Sequence, residues 1–158
     1  MNIIDALKKS YPDITFTVDS SFYWSPKNNA VHYAKSYASN EKHLWALLHE
    51  VGHAVLKHQT YTTDFNLLQL EIEAWQKARQ IARSHDIVID PEHIQDCLDT
   101  YRDWLYQRST CPSCTNCSLQ MSKDLYSCFN CNESWRGSAS RMCRSYRKRV
   151  IAPAVATT

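Results

Sequence analysis

The segment Leu47-Leu-His-Glu-Val-Gly-His-Ala-Val55 buries a chemical problem inside an apolar run, because His49, Glu50 and His53 fall among residues that should face a core. Leu44, Leu47, Leu48, Val51, Ala54 and Val55 recur at helical spacing, with Asn40 as cap and Glu41 in the first turn. Polar side chains on such a face are costly unless paired or bound to a metal. Residues four apart share one helical face, so both imidazoles can reach one zinc ion. Glu50 is offset from that line, so it can take a proton from zinc-bound water without being a ligand.

Two histidines and a water leave one protein ligand to find. His58 follows His53 by five positions, about 500° of helical rotation, so it is expected to point away as a helix-end residue favoured by the dipole. The next helix, spanning about 64–84, offers Glu71 and Glu73. At 100° per residue from Leu67, its apolar residues centre on roughly 30°, Glu71 lies at about 40° and Glu73 at about 240°. Glu71 therefore occupies the buried face and is the expected third ligand, its alternative being a buried salt bridge to Lys or Arg. Glu73 is expected to be solvated.

Around this pair of helices the chain reads as α+β. A short helix over 2–9 is followed by strands near 14–18, 22–25 and 30–33, expected to form a small antiparallel N-terminal sheet. Asp90-Pro91 starts a third long helix, with Ile94, Cys97, Leu98, Tyr101, Trp104 and Leu105 on its apolar face. With only two glycines in 158 residues there is no glycine-rich phosphate loop, which disfavours nucleotide-binding folds built on one. No run is apolar enough to span a bilayer and the N-terminus lacks a signal-peptide core, so a cytoplasmic location is expected.

A reducing compartment disfavours disulfides, yet five of the seven cysteines fall between Cys111 and Cys131. Cys111-Pro-Ser-Cys114 and Cys128-Phe-Asn-Cys131, thirteen residues apart, suit a closed structural zinc site in a zinc ribbon, with Tyr126 and Trp135 flanking the second pair. Cys114-Thr-Asn-Cys117 is a competing pair, against which Pro112 favours Cys111 and Cys114. Cys97 fits a core position and Cys143 is unassigned. Residues 1–110 carry 11 Lys/Arg against 14 Asp/Glu, and 111–158 carry 7 against 2, so positive charge collects at the C-terminus. Arg141, Arg144, Arg147, Lys148 and Arg149 could attract nucleic acid or simply form a solvated tail. The expected organisation is a catalytic domain over 1–108, a ribbon over 109–137 and a basic tail over 138–158.

His49-Glu50-x-x-His53 followed by Glu71-x-x-Ala74-x-x-x-Ala78 resembles the ImmA/IrrE metallopeptidases across roughly residues 1–85. The resemblance implies a minimal zincin-like fold, His49, His53 and Glu71 as ligands of a catalytic zinc, and Glu50 as the catalytic glutamate. It further implies a metalloendopeptidase that cleaves a protein substrate, such as a DNA-bound transcriptional repressor, by Glu-assisted attack of zinc-bound water. Trp75 and Lys77 depart from the Asn/Asp and Phe usual at those positions. Such peptidases hold an extended substrate at a sheet edge, and the strand over 30–35 is the expected rail. Tyr33, Tyr61 or His58 could stabilise the oxyanion. SprT-like proteases also join His-Glu-x-x-His to a zinc ribbon and act near DNA, but their third ligand is a histidine, and none lies between His58 and His85. A non-catalytic zinc-binding module, using the ribbon and basic tail near nucleic acid, is the contrasting expectation.

Overall fold

The computed structural model describes residues 2–138, 141 and 143–150. The apolar end of the chain after Val150 lies outside the described residues. The fold is α+β and divides into two compact units, one of residues 1–61 and 68–98, the other of 62–67 and 99–158.

In the first unit, α1 (Ile3–Ser10) is capped by Asn2, whose side chain accepts from Ile4 N–H. Strands β1 (Thr15–Val18), β2 (Tyr23–Ser25) and β3 (Ala30–Tyr33) follow. They form a mixed sheet in the order β1-β3-β2, which corrects the antiparallel meander expected from the sequence. β2 returns against β3 through a turn at Pro26–Asn28, with Asn29 in the left-handed region, but β1 pairs parallel to β3. The pattern of burial explains the order: three of four β3 residues are buried, so the most apolar strand takes the centre and β1 and β2 become edges.

Helix α2 (Glu41–Val55) starts where Asn40 accepts the His43 N–H. Helices α3 (Asp64–Arg83) and α4 (Pro91–Ser109) follow, α4 being capped by Asp90 through a bond from Glu92 N–H. The core of the first unit gathers Leu7, Val31, Leu47, Leu48, Val51, Ala78 and Ala82 from α1, β3, α2 and α3. Gly52 lies where α2 meets α3. A Cβ there would come within 2.4 Å of the Ala74 carbonyl oxygen, so only glycine permits this approach.

The second unit holds strands β4 (Leu119–Gln120), β5 (Leu125–Ser127), β6 (Ser134–Gly137) and β7 (Arg147–Arg149), antiparallel in that order. Residues 147–149 are thus a sheet strand, where the sequence suggests a tail. The division between units also departs from the expected boundary at 108/109, because the first turn of α3 and the C-terminal half of α4 belong to the second unit. A buried knot accounts for this. Arg108 donates to Asp64 at 2.5 Å and to the carbonyls of Ser138 and Lys123, Tyr126 OH donates to Asp64 at 2.6 Å, and Trp135 Nε1 donates to the Arg108 carbonyl. A charged pair so deeply buried is tolerable only with its remaining hydrogen-bonding capacity satisfied. Among the described residues no helix is long and apolar enough to cross a membrane.

Candidate metal centres

Close packing of α2 on α3 brings Glu71 to the two histidines. His49 Nε2 lies 3.1 Å from Glu71 Oε2 and 3.1 Å from His53 Nε2, and His53 Nε2 lies 3.5 Å from Glu71 Oε1. These three side chains can hold a metal ion. Glu71 is buried, with no Lys or Arg partner among the described residues; its partners are the two imidazoles. Burial alone would raise its carboxyl pKa, but its polar contacts with the His49 and His53 rings outweigh it, and the net shift is strongly downward. A carboxylate kept ionised beside two imidazoles is a suitable donor set for a cation.

Glu50 stays out of this triangle, as expected for a residue one position off the histidine line. Its Oε2 accepts the backbone N–H of Trp24 in β2 at 2.8 Å. Trp24 therefore orients the carboxylate of an acid that adjoins His49 in sequence and is not a candidate ligand. The indole of the same residue donates through Nε1 to the His58 carbonyl at 2.9 Å. Neither contact has a signature in the sequence, where Trp24 is only an apolar strand residue.

His58 departs from the helical-wheel expectation, whereas Glu73 is exposed as its position on the wheel implies. Far from pointing away, His58 is buried with its Nδ1 2.9 Å from His53 Nδ1 and its Nε2 3.2 Å from Glu73 Oε2. The wheel fails because α2 ends at Val55. Lys57 then adopts φ 55°, its N–H bonding to the Ala54 carbonyl and that of His58 to the His53 carbonyl. This left-handed terminal turn folds residue 58 back over the helix it has just left. Burial, and next the neighbouring His53, lower the His58 pKa against the opposing pull of Glu73. Trp75, where the resembled family has Asn or Asp, stacks on His49 with ring centroids 4.2 Å apart. His49 Nδ1 is buried without a hydrogen-bond partner among the described residues.

Two further expectations are corrected or constrained. The rail expected over 30–35 contains β3, which is paired on both sides and has no free edge; β2 and β1 are the edges. Of the three oxyanion candidates, Tyr33 packs in the core against Tyr37, Tyr61 is exposed and the His58 ring is engaged by its two neighbours.

In the second unit Cys111, Cys114, Cys128 and Cys131 converge and could bind a metal ion. Their sulfurs approach at 3.6 Å (Cys111 to Cys131) and 3.4 Å (Cys114 to Cys128), and all four are free thiols. Each pair sits on the same backbone turn: Thr115 N–H bonds to the Cys111 carbonyl and Asn132 N–H to that of Cys128, with Thr115 and Asn132 both at positive φ. Cys117 is exposed and stays outside the group, which resolves the competing pair. Hydrogen bonds, led by that of Ser118, lower the Cys128 pKa. At Cys131 the backbone N–H of Glu133 also lowers it, yet burial and the other cysteines win and the net shift is upward. Four sulfurs this close resist becoming thiolates together unless a cation neutralises them.

No protein-family model, curated protein or solved structure matches the chain.

Proposed function

We propose that the chain is a zinc-dependent metalloendopeptidase of the ImmA/IrrE, zincin-like type, with a structural zinc ribbon in its second unit. The observation that carries this reading is the triangle of His49, His53 and Glu71, with Glu50, the residue next to His49, bonded to Trp24 and not part of the triangle. Tetrahedral zinc with bonds of about 2.0–2.1 Å sets its nitrogen and oxygen ligands roughly 3.3 Å apart. The three spacings here are 3.1, 3.1 and 3.5 Å. Zinc–sulfur bonds of about 2.3 Å set sulfurs roughly 3.8 Å apart, near the 3.4 and 3.6 Å of the four-cysteine group.

When bound at the first site, zinc would acidify a water molecule and polarise the scissile carbonyl. Glu50 takes the proton that the water loses as its oxygen bonds to the carbonyl carbon, and gives it to the leaving amide nitrogen as the C–N bond breaks. An extended substrate would lie along the outer edge of β2, whose Trp24 N–H already faces Glu50. The resemblance points to a protein substrate such as a DNA-bound transcriptional regulator in the cytoplasm.

The SprT-like alternative is disfavoured because the third candidate donor is a carboxylate. The alternative of a nucleic-acid-proximal binding module draws on the basic C-terminal segment. Much of that charge has local partners: Arg141 lies over the Tyr101 ring, Arg147 donates to the Thr110 carbonyl, and Arg149 lies 3.7 Å from Glu133. To test the peptidase reading, the zinc-loaded chain is incubated with a mixture of unfolded proteins and new N-termini are mapped. Cleavage that stops with a chelator and returns with zinc supports it; no cleavage by a fully zinc-loaded chain contradicts it.

A further inference from the structure

Two nitrogens facing each other at 2.9 Å, His53 Nδ1 and His58 Nδ1, can share only one proton, so one must donate and the other accept. Which does which is decided at the far end of the chain of contacts. An ionised carboxylate accepts and never donates, so Glu73 Oε2 requires the proton of His58 to sit on Nε2. A neutral His58 then presents a bare Nδ1. That nitrogen accepts from His53 Nδ1–H, and the remaining nitrogen of His53, Nε2, is left with its lone pair free, facing His49 and Glu71.

We propose that His58 and Glu73 act as a positioning pair that fixes the tautomer and ring orientation of His53 for metal binding. The inference rests on the reading of His49, His53 and Glu71 as a zinc site, and goes beyond it by giving roles to two residues that are not ligands. Its weight comes from asymmetry. His49 has no comparable hydrogen bond at Nδ1 and is held by its stack on Trp75, so His53 carries the hydrogen-bonded support. The support is anchored from both sides, because the His58 carbonyl accepts from Trp24 Nε1 while its ring is held by Glu73. Partners of this kind orient a ligating histidine and raise its basicity, and losing one costs roughly 10–100-fold in metal affinity.

The test uses the full chain and zinc alone, titrated against a chromophoric chelator, with the four-cysteine site as an internal reference. His58→Leu keeps the bulk but removes both nitrogens, and is expected to weaken the first site roughly 10–100-fold while leaving the cysteine site unchanged. His58→Asn, whose amide oxygen can replace Nδ1 as acceptor, is expected to recover most of that loss. Glu73→Ala, at an exposed position where a folding defect is not expected, should weaken the first site in the same direction but less. A His58→Leu or Glu73→Ala chain that binds first-site zinc as tightly as wild type overturns the proposal. So does a loss in His58→Leu that His58→Asn does not repair, since bulk packing alone would then account for it. A wild-type chain that takes zinc only at the cysteines overturns the underlying site reading, and the proposal with it.

Discussion

Two glutamates separated by a single residue on α3 have opposite surroundings. Glu71 is buried between two imidazoles, whereas the Glu73 side chain is 56% exposed. This contrast is legible in the sequence because α3 is a regular helix over the whole interval, so 100° per residue places both acids correctly. The same arithmetic misplaces His58, because Lys57 is in the left-handed region and nothing in its identity announces that. Glu71→Ala is expected to remove one zinc per chain and leave the other, measured by metal analysis after gel filtration. Lys57→Gly should raise stability by about 0.5–1 kcal/mol, since glycine adopts positive φ without the Cβ clash that lysine suffers. Urea denaturation of the two chains checks it, and an unchanged or lower midpoint would contradict the strain argument.

At the scale of elements, caps and breaks are readable because they are local: Asn40 and Asp90-Pro91 each start a helix as their side chains dictate. Strand order is not local. Which of three short strands takes the centre depends on how apolar faces meet α1 and α2, and the parallel pairing of β1 with β3 follows from that competition. The approach of α2 to α3 depends likewise on Gly52, whose position inside the motif hides its packing role. Gly52→Ala should cost about 1–3 kcal/mol, seen as a lower urea midpoint, and should weaken zinc binding at the first site by forcing α3 away. In the second unit Tyr126 offers a pH test. Burial, with its hydrogen bond to Asp64 and that residue's charge, raises its phenol pKa in the folded chain, against the opposing effect of Arg108. A raised folded pKa means its contribution is complete below the unfolded value of about 10 and is lost as pH rises beyond it. The stability advantage of wild type over Tyr126→Phe should therefore be constant at neutral pH and shrink above that value. An advantage that persists or grows there would contradict the assignment.

The whole molecule combines two centres that differ in kind. One is built from two helices, and its donors come from positions that are far apart in sequence and made adjacent by close packing at Gly52 and Ala74. The other is built from two repeated turns, which is why its cysteines are the easier set to read from spacing alone. What the spacing cannot convey is how far the second unit reaches: Asp64, Arg108 and β7 join it through the buried knot and the sheet, contacts between segments remote in sequence. On the proposed reading the first centre is catalytic and Glu50 is its base, acting beside a metal it does not bind. The most direct measurement compares wild type with Glu50→Gln for zinc content and for cleavage of the same unfolded-protein mixture. Both chains are expected to hold two zincs, with cleavage confined to wild type. Cleavage by Glu50→Gln at the wild-type rate, or loss of the first zinc on that substitution, would contradict it.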